Sequence, residues 1–258
     1  MSAEKVVSFD DPPVNEVALG RTFLPRADFL LPHFGGFWQK VFSKFPRAEH
    51  APPIISQTNP DFSADPYFLP RVWLVSSDGT MLLQVQRDRF HFNWRQTDMA
   101  TDYVRFPTIH AQFMSAWTEF ERYVAEVTGV PLQTTTGELS YVNFIALDGV
   151  ETPIEILDRA LVDLQGAPSP RFLPRPTAFN LAYSYQMPGF SEVLKVSAVP
   201  AKRTSDGRPG VRLELTVSGP CTSDVSFDDW SKRSHDFLVN GFKDITKPEM
   251  HELWKFRV

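Results

Sequence analysis

The sequence predicts an α+β fold of two tandem helix-grip-like units, each an antiparallel sheet covered by a long closing helix. Three observations predict it. The same order of elements is read twice along the 258 residues: a short strand, an amphipathic helix, a Pro-rich loop, a group of alternating strands and a long helix. Each strand group holds an Asp-Gly pair between alternating apolar runs, a strong hairpin signal. Each closing segment carries a single apolar stripe at helical spacing, which needs a sheet face to bury it. The N-terminal unit is expected over residues 1–131 and a C-terminal unit of the same element order over 132–258. The halves match in order of elements, not in residues. Asp78-Gly79 falls between the first and second strands of its group, and Asp206-Gly207 between the second and third.

In the first half, Pro13 keeps the chain extended into a strand carrying Val14, Val17, Leu19 and Phe23. A helix follows over Pro32 to Phe45, with Phe34, Phe37, Trp38, Val41, Phe42 and Phe45 on one stripe. Arg47 to Pro70 is Pro-rich and aperiodic, so a long surface loop is expected, one that leaves Phe62, Tyr67 and Phe68 without a stripe to join. Strands are expected at Arg71–Ser76, Met81–Arg87 and Arg89–Arg95. In the last of these, Phe90, Phe92 and Trp94 face one way and Arg89, His91, Asn93 and Arg95 the other. A long helix carries Ile109, Phe113, Trp117, Phe120, Val124 and Val127, and Gly129 closes it.

The second half begins with a strand at Leu139–Leu147. Thr152-Pro153-Ile154-Glu155 reads as a capping box with proline at the first helical position, and Gly166 as the end of that helix. Ala167–Pro176 repeats the Pro-rich loop in shorter form. Phe179, Leu181, Tyr183 and Tyr185 then alternate with small or polar residues, and Val193–Lys202 and Val211–Ser218 complete three strands. Asp228–Ile245 is the closing helix, with Trp230, Phe237, Leu238, Phe242 and Ile245 inward; Thr246-Lys247-Pro248-Glu249 reads as the cap of a last short helix to Trp254.

Composition narrows the classes of function. With 22 Phe, 6 Trp and 6 Tyr the chain has ample apolar volume for packed cores. A net charge of −5 supplies no global basic field for a polyanion, so nucleic acid is not expected as a partner. Cys221 is the single cysteine, which excludes an internal disulfide and any Cys-pair metal or redox motif. No apolar leader or membrane-length run is present, so a cytoplasmic protein without membrane contact is expected.

Several stretches together resemble a sporadically distributed, functionally unassigned family of prokaryotic proteins. They are Phe9-x-x-Pro12-Pro13-Val14-x-Glu16-Val17 at the start and Leu83-Gln84-Val85-Gln86-Arg87-Asp88-Arg89-Phe90-x-x-Asn93-Trp94-Arg95 in the centre. The third is His235 with Phe242 and Thr246, followed by His251 and Trp254. The chain departs from the pattern at Arg105-Phe106-Pro107, where such proteins tend to show Tyr-Pro. The resemblance implies a complete, single-purpose protein and brings no activity with it.

Motifs of chemistry are sparse. There is no Gly-x-Ser-x-Gly elbow, Gly-rich phosphate loop or His-Glu-x-x-His. Asp10-Asp11 and Asp228-Asp229 suggest paired carboxylates, but adjacent strand residues point to opposite faces and the second pair suits a helix start. His235 and His251 lack ligand spacing, and Cys221 has no base near it in sequence. No catalytic residue, metal or cofactor is therefore expected. The strongest candidate for recognition is the polar strand face of Gln84, Gln86, His91, Asn93 and Arg95. Its amide and guanidinium groups suit a peptide backbone, carboxylate or phosphate if the face lines a groove, and are ordinary solvated groups if it does not. The function expected is that of a non-enzymatic protein- or peptide-binding adaptor. The alternatives are a small-ligand-binding protein, or a hydrolase or transferase with a site between sheet and helix.

Overall fold

The computed structural model describes residues 7–54, 71–98, 100–162 and 172–257. It is a mixed α+β protein with a large antiparallel sheet and a few helices. In chain order the elements are β1 (Ser8–Phe9), β2 (Val14–Phe23), α1 (Leu31–Val41), β3 (Arg47–Ala51), β4 (Arg71–Val75), β5 (Met81–Gln86), β6 (Arg89–Arg95) and α2 (Phe106–Thr128). There follow β7 (Thr134–Ile145), α3 (Pro153–Ala160), β8 (Leu181–Gln186), β9 (Val193–Lys202), β10 (Pro209–Pro220), α4 (Phe227–Ile245), α5 (Pro248–Leu253) and β11 (Phe256–Arg257).

Two compact units emerge, named by their places in the sequence. The inner unit comprises Ala18–Glu138 with Pro220–Phe227; the terminal unit comprises Met1–Val17, Leu139–Gly219 and Asp228–Val258.

In the inner unit the strands run in the order β3-β4-β5-β6-β2-β7. The Asp78-Gly79 turn joins β4 to β5, with Gly79 at φ 78°, and Arg87-Asp88 joins β5 to β6 in register Gln86↔Arg89. Helix α2 buries Ile109, Phe113, Trp117, Phe120 and Val124 of the stripe expected from the sequence, while Val127 near its end is half-buried. Gly129, left-handed at φ 72°, closes it by donating its N–H to the Ala125 carbonyl at 2.9 Å. The stripe rests on the apolar side of β6. Phe90 stacks on Phe120 at 4.7 Å between ring centroids, and Phe37 of α1 meets Phe120 edge-on at 5.1 Å.

One strand appears where a loop is expected. Arg47–Ala51 forms β3, paired to β4 from Arg47↔Val75 to Ala51↔Arg71. Four of its five residues are exposed, so it is an edge strand that owes its form to backbone pairing and shows no apolar alternation. Residues 55–70, with Phe62, Tyr67 and Phe68, lie outside the described residues, as does Gly166.

In the terminal unit the order is β2-β7-β10-β9-β8. Helix α4 buries Trp230, Leu238, Phe242 and Ile245, while Phe237 is only half-buried. The helix starts and ends differ in detail from the capping expected. Helix α3 begins with Pro153 as anticipated, but the Thr152 side chain makes no capping bond, and the helix stops at Ala160. Leu161 turns extended and bridges Thr246, which ends the helix before Gly166. Helix α5 is preceded by Lys247 at the cap position, because the Thr246 hydroxyl is used elsewhere. Strand β8 ends the order of strands, and Ala182, Ser184 and Tyr185 are exposed on it; the Tyr183–Tyr185 stripe is not core.

A final pairing was not legible in the sequence. Ser8 and Phe9 pair antiparallel with Arg257 and Phe256, joining the first described strand to the last. Phe9 is buried among Phe242, His251, Trp254 and Phe256, with centroids 5.3–6.2 Å apart. No helix among the described residues is long and apolar enough to cross a membrane.

Candidate functional site

Strand alternation puts Arg71 and Trp73 of β4, Gln84 and Gln86 of β5, and Arg89, His91, Asn93 and Arg95 of β6 on one side of the inner unit's sheet. The register sets Trp73 opposite Gln84, Gln84 opposite His91, and Gln86 opposite Arg89. The other side of β6 carries Phe90, Phe92 and Trp94, all buried. Both sides are in fact buried: Gln84, Gln86, His91 and Asn93 are 2–8 % exposed, so a solvated sheet face is excluded for these four.

Buried polar groups must find partners, and these form a chain of bonds. Arg71 donates to Gln84 Oε1 at 2.7 Å, and Gln84 Nε2 donates to Asn93 Oδ1 at 2.8 Å. Asp88 takes a forked contact from Arg89, Nε to Oδ1 at 3.2 Å and NH2 to Oδ2 at 3.1 Å, with both side chains 7 % exposed. Gln86 Nε2 donates to the same carboxylate at 2.9 Å. The Gln86 amide also holds a segment of main chain: it accepts from Ile54 N–H at 2.9 Å and donates to Ile54 C=O at 3.0 Å.

His91 is seated by a missing side chain. A Cβ on Gly20 of β2 would lie 2.1 Å from His91 Cδ2, so glycine is what lets the ring lie against the neighbouring strand. His91 Nε2 stands 3.3 Å from Glu138 Oε1 of β7. Arg95, half-buried, donates through Nε to the Gly79 carbonyl at 2.8 Å and lies 6.0 Å from the Trp73 ring, which also receives Arg71 at 5.4 Å. All five predicted residues therefore share one side of the sheet. Gln84 and Asn93 bond directly, Gln86 joins Asp88 and Ile54, His91 turns to Glu138, and Arg95 to the hairpin turn.

Sequence reasoning missed Arg71, Asp88, Glu138 and Ile54. Arg71 was findable, because it alternates with Val72 and Leu74 on an expected strand. Glu138 and Ile54 carry no local signal; strand pairing and chain path bring them in.

The remaining candidates have structural employment. Asp10 pairs with Arg257 at 2.5 Å and Asp11 with Lys255 at 3.5 Å, so both acids tie the start of the described chain to its end. Asp228 and Asp229 occupy the first turn of α4, where the helix dipole favours acids. Thr246 Oγ1 donates to the Phe242 carbonyl at 2.7 Å and lies 2.9 Å from His251 Nε2. His251, Phe242, Thr246, Trp254 and Phe9, all residues of the motifs quoted above, thus gather around the joined ends. The His235 ring lies 6.1 Å from that of Tyr141. Cys221 is fully buried, and its carbonyl accepts from Arg21 NH2 at 3.4 Å. The Arg21 guanidinium sits 4.9 Å from both the Trp117 and Phe227 rings and donates to Thr134 Oγ1 at 2.9 Å. Burial holds it below the ordinary arginine range, opposed by Cys221 and Glu121. Among the described residues no group of three His, Cys, Asp or Glu is placed to hold a metal ion.

No family model matches the sequence, and no curated protein is similar enough to it to count as a relative.

Proposed function

We propose that this chain is a non-enzymatic adaptor that takes a protein or peptide segment, in extended form, against the polar side of β5 and β6. One observation carries the reading. The Gln86 side-chain amide bonds both main-chain groups of Ile54, as a neighbouring strand would. Such an amide reads backbone and ignores side chain, so any extended segment presents the same donor and acceptor. Ile54 belongs to the same chain, and in this reading it keeps the place that a partner's strand takes. Gln84, His91, Asn93 and Arg95 line the same side and would set orientation. The net negative charge supports a protein partner over nucleic acid.

The duplication belongs with this proposal. The path β2-α1-β4-β5-β6-α2 gives strand order β4-β5-β6-β2, and the path β7-α3-β8-β9-β10-α4 gives β8-β9-β10-β7. Identical connectivity supports two helix-grip copies of one unit, of which the inner copy carries the recognition face and an added edge strand, β3.

The test is selection of a displayed library of random peptides on the full chain, repeated on Gln86→Leu. Enriched peptides should lose most of their binding to the variant, measured at a temperature where circular dichroism shows the variant still folded, because the lost Asp88 and Ile54 contacts will also lower its thermal midpoint. Peptides that bind both proteins equally, or no enrichment over an unrelated protein, would refute the proposal.

A further inference from the structure

We propose that the terminal unit binds a free acidic amino acid, with two carboxylates and one ammonium, in the cleft bordered by Arg159, Lys247 and Glu249. The cleft has a volume of about 640 Å³ and an apolar floor that includes Leu147, Met250 and Leu253. That is within the ~300–1,000 Å³ of small-molecule sites. Its rim carries three cations and three acids, and the internal pairings decide what is left for a ligand. Arg208 pairs with Asp148 at 2.6 Å, and the Asp158 carboxylate with Arg175 at 3.5 Å. Lys247 is anchored by its N–H to the Ala160 carbonyl at 2.9 Å and by Nζ to the Asp158 carbonyl at 2.5 Å. A carbonyl positions the ammonium and leaves its charge uncompensated. Arg159 and Glu249 make no ion pair among the described residues. Among the lining residues, with Asp148 given to Arg208 and Asp158 to Arg175, two positive charges and one negative remain; Arg175 also reaches Glu155 at 3.8 Å, outside the lining.

A molecule with two carboxylates and one ammonium is the complement. The planar fork of Arg159 suits one carboxylate in a two-point contact, the fixed Lys247 ammonium suits the other as a point charge, and Glu249 takes the ligand's ammonium. The methylene stem lies on Leu147 and Met250.

Isothermal titration of the full chain at low ionic strength, where exposed charges are least screened, tests this. L-glutamate or L-aspartate should give a saturable heat. Glutarate, which lacks the ammonium, and L-glutamine, which lacks one carboxylate, should bind about tenfold more weakly, the worth of one charge-assisted contact. Arg159 and Glu249 are exposed, so Arg159→Ala and Glu249→Gln should keep the parent melting midpoint. Arg159→Ala should weaken L-glutamate about tenfold. Glu249→Gln should weaken L-glutamate but leave glutarate unchanged, because only the amino acid presents a cation to that side chain. The proposal is overturned by the absence of saturable heat with both amino acids, by glutarate binding as well as L-glutamate, or by undiminished binding in Arg159→Ala.

Discussion

Asp88 and Arg89 show how a sheet side becomes polar and dry at once. Their forked pair is buried, and the Asp88 carboxylate also receives Gln86, so removing one partner leaves a charge without compensation. Asp88→Ala should cost about 3–5 kcal/mol in urea denaturation; a loss below ~1 kcal/mol, the worth of a surface pair, would mean that water reaches Arg89. Asp78, at the β4–β5 turn, behaves differently because it is largely solvated. The Ser76 hydroxyl, the Thr80 N–H and the Thr80 hydroxyl all donate to its carboxylate and hold it below its ordinary value of 3.8. A depressed carboxylate stabilises the fold above the ordinary range, and that contribution is lost as pH falls through the folded-state value. Chemical denaturation from about pH 5 down to about pH 3 should therefore show the parent losing more stability than Asp78→Asn. Parallel loss in the two proteins would show that the turn does not feel the carboxylate's charge.

Elements with a strong apolar period were legible, and those held by backbone pairing alone were not. The stripe of α2 was readable because Ile109, Phe113, Trp117, Phe120 and Val124 recur at spacings of three and four, and all are buried. Trp117→Ala removes a side chain in contact with Phe90, Phe113 and Phe120, and should cost about 3–5 kcal/mol. An unchanged thermal midpoint would contradict its place in the core. Strand β3 and the short β1 and β11 have no such pattern: Arg47–Ala51 is polar, and a two-residue strand has no period at all. The caps failed for a related reason. Thr152 and Thr246 have the right residue type at the right spacing, yet Thr246 bonds to Phe242 and His251 instead, and competition among hydroxyl partners is decided by tertiary position. The candidate site was half legible. Alternation put Gln84, Gln86, His91, Asn93 and Arg95 on one side, but their burial, and the partners Glu138 and Ile54, depend on register and on a segment with no pattern of its own.

For the molecule as a whole, the reading in two tandem halves and the two compact units make different demands on the chain. The inner unit needs the start of β7: Leu24 N–H donates to Gln133 C=O at 2.9 Å, the Thr22 and Thr135 hydroxyls meet at 2.9 Å, and Arg21 binds Thr134 and Cys221. The terminal unit needs Phe9 packed against Phe242 and Trp254, and Phe144 N–H bonded to Pro13 C=O at 2.9 Å. A cut between residues 131 and 132 severs both sets. It leaves Arg21, a buried cation, without its hydroxyl and carbonyl acceptors, and Phe242 without the ring that covers it. Fragments 1–131 and 132–258 should therefore lack a cooperative thermal transition when produced singly, and should recover one as an equimolar complex when produced together. The complementary strands β2 and β7 supply the main-chain bonds for that reassembly, and each fragment alone exposes one of them as an unpaired edge. Calorimetry of the separate fragments decides the matter: a cooperative transition in 1–131 alone, near the temperature of the intact protein, would show that its half closes without Thr134–Glu138 and that the tandem boundary is also a folding boundary.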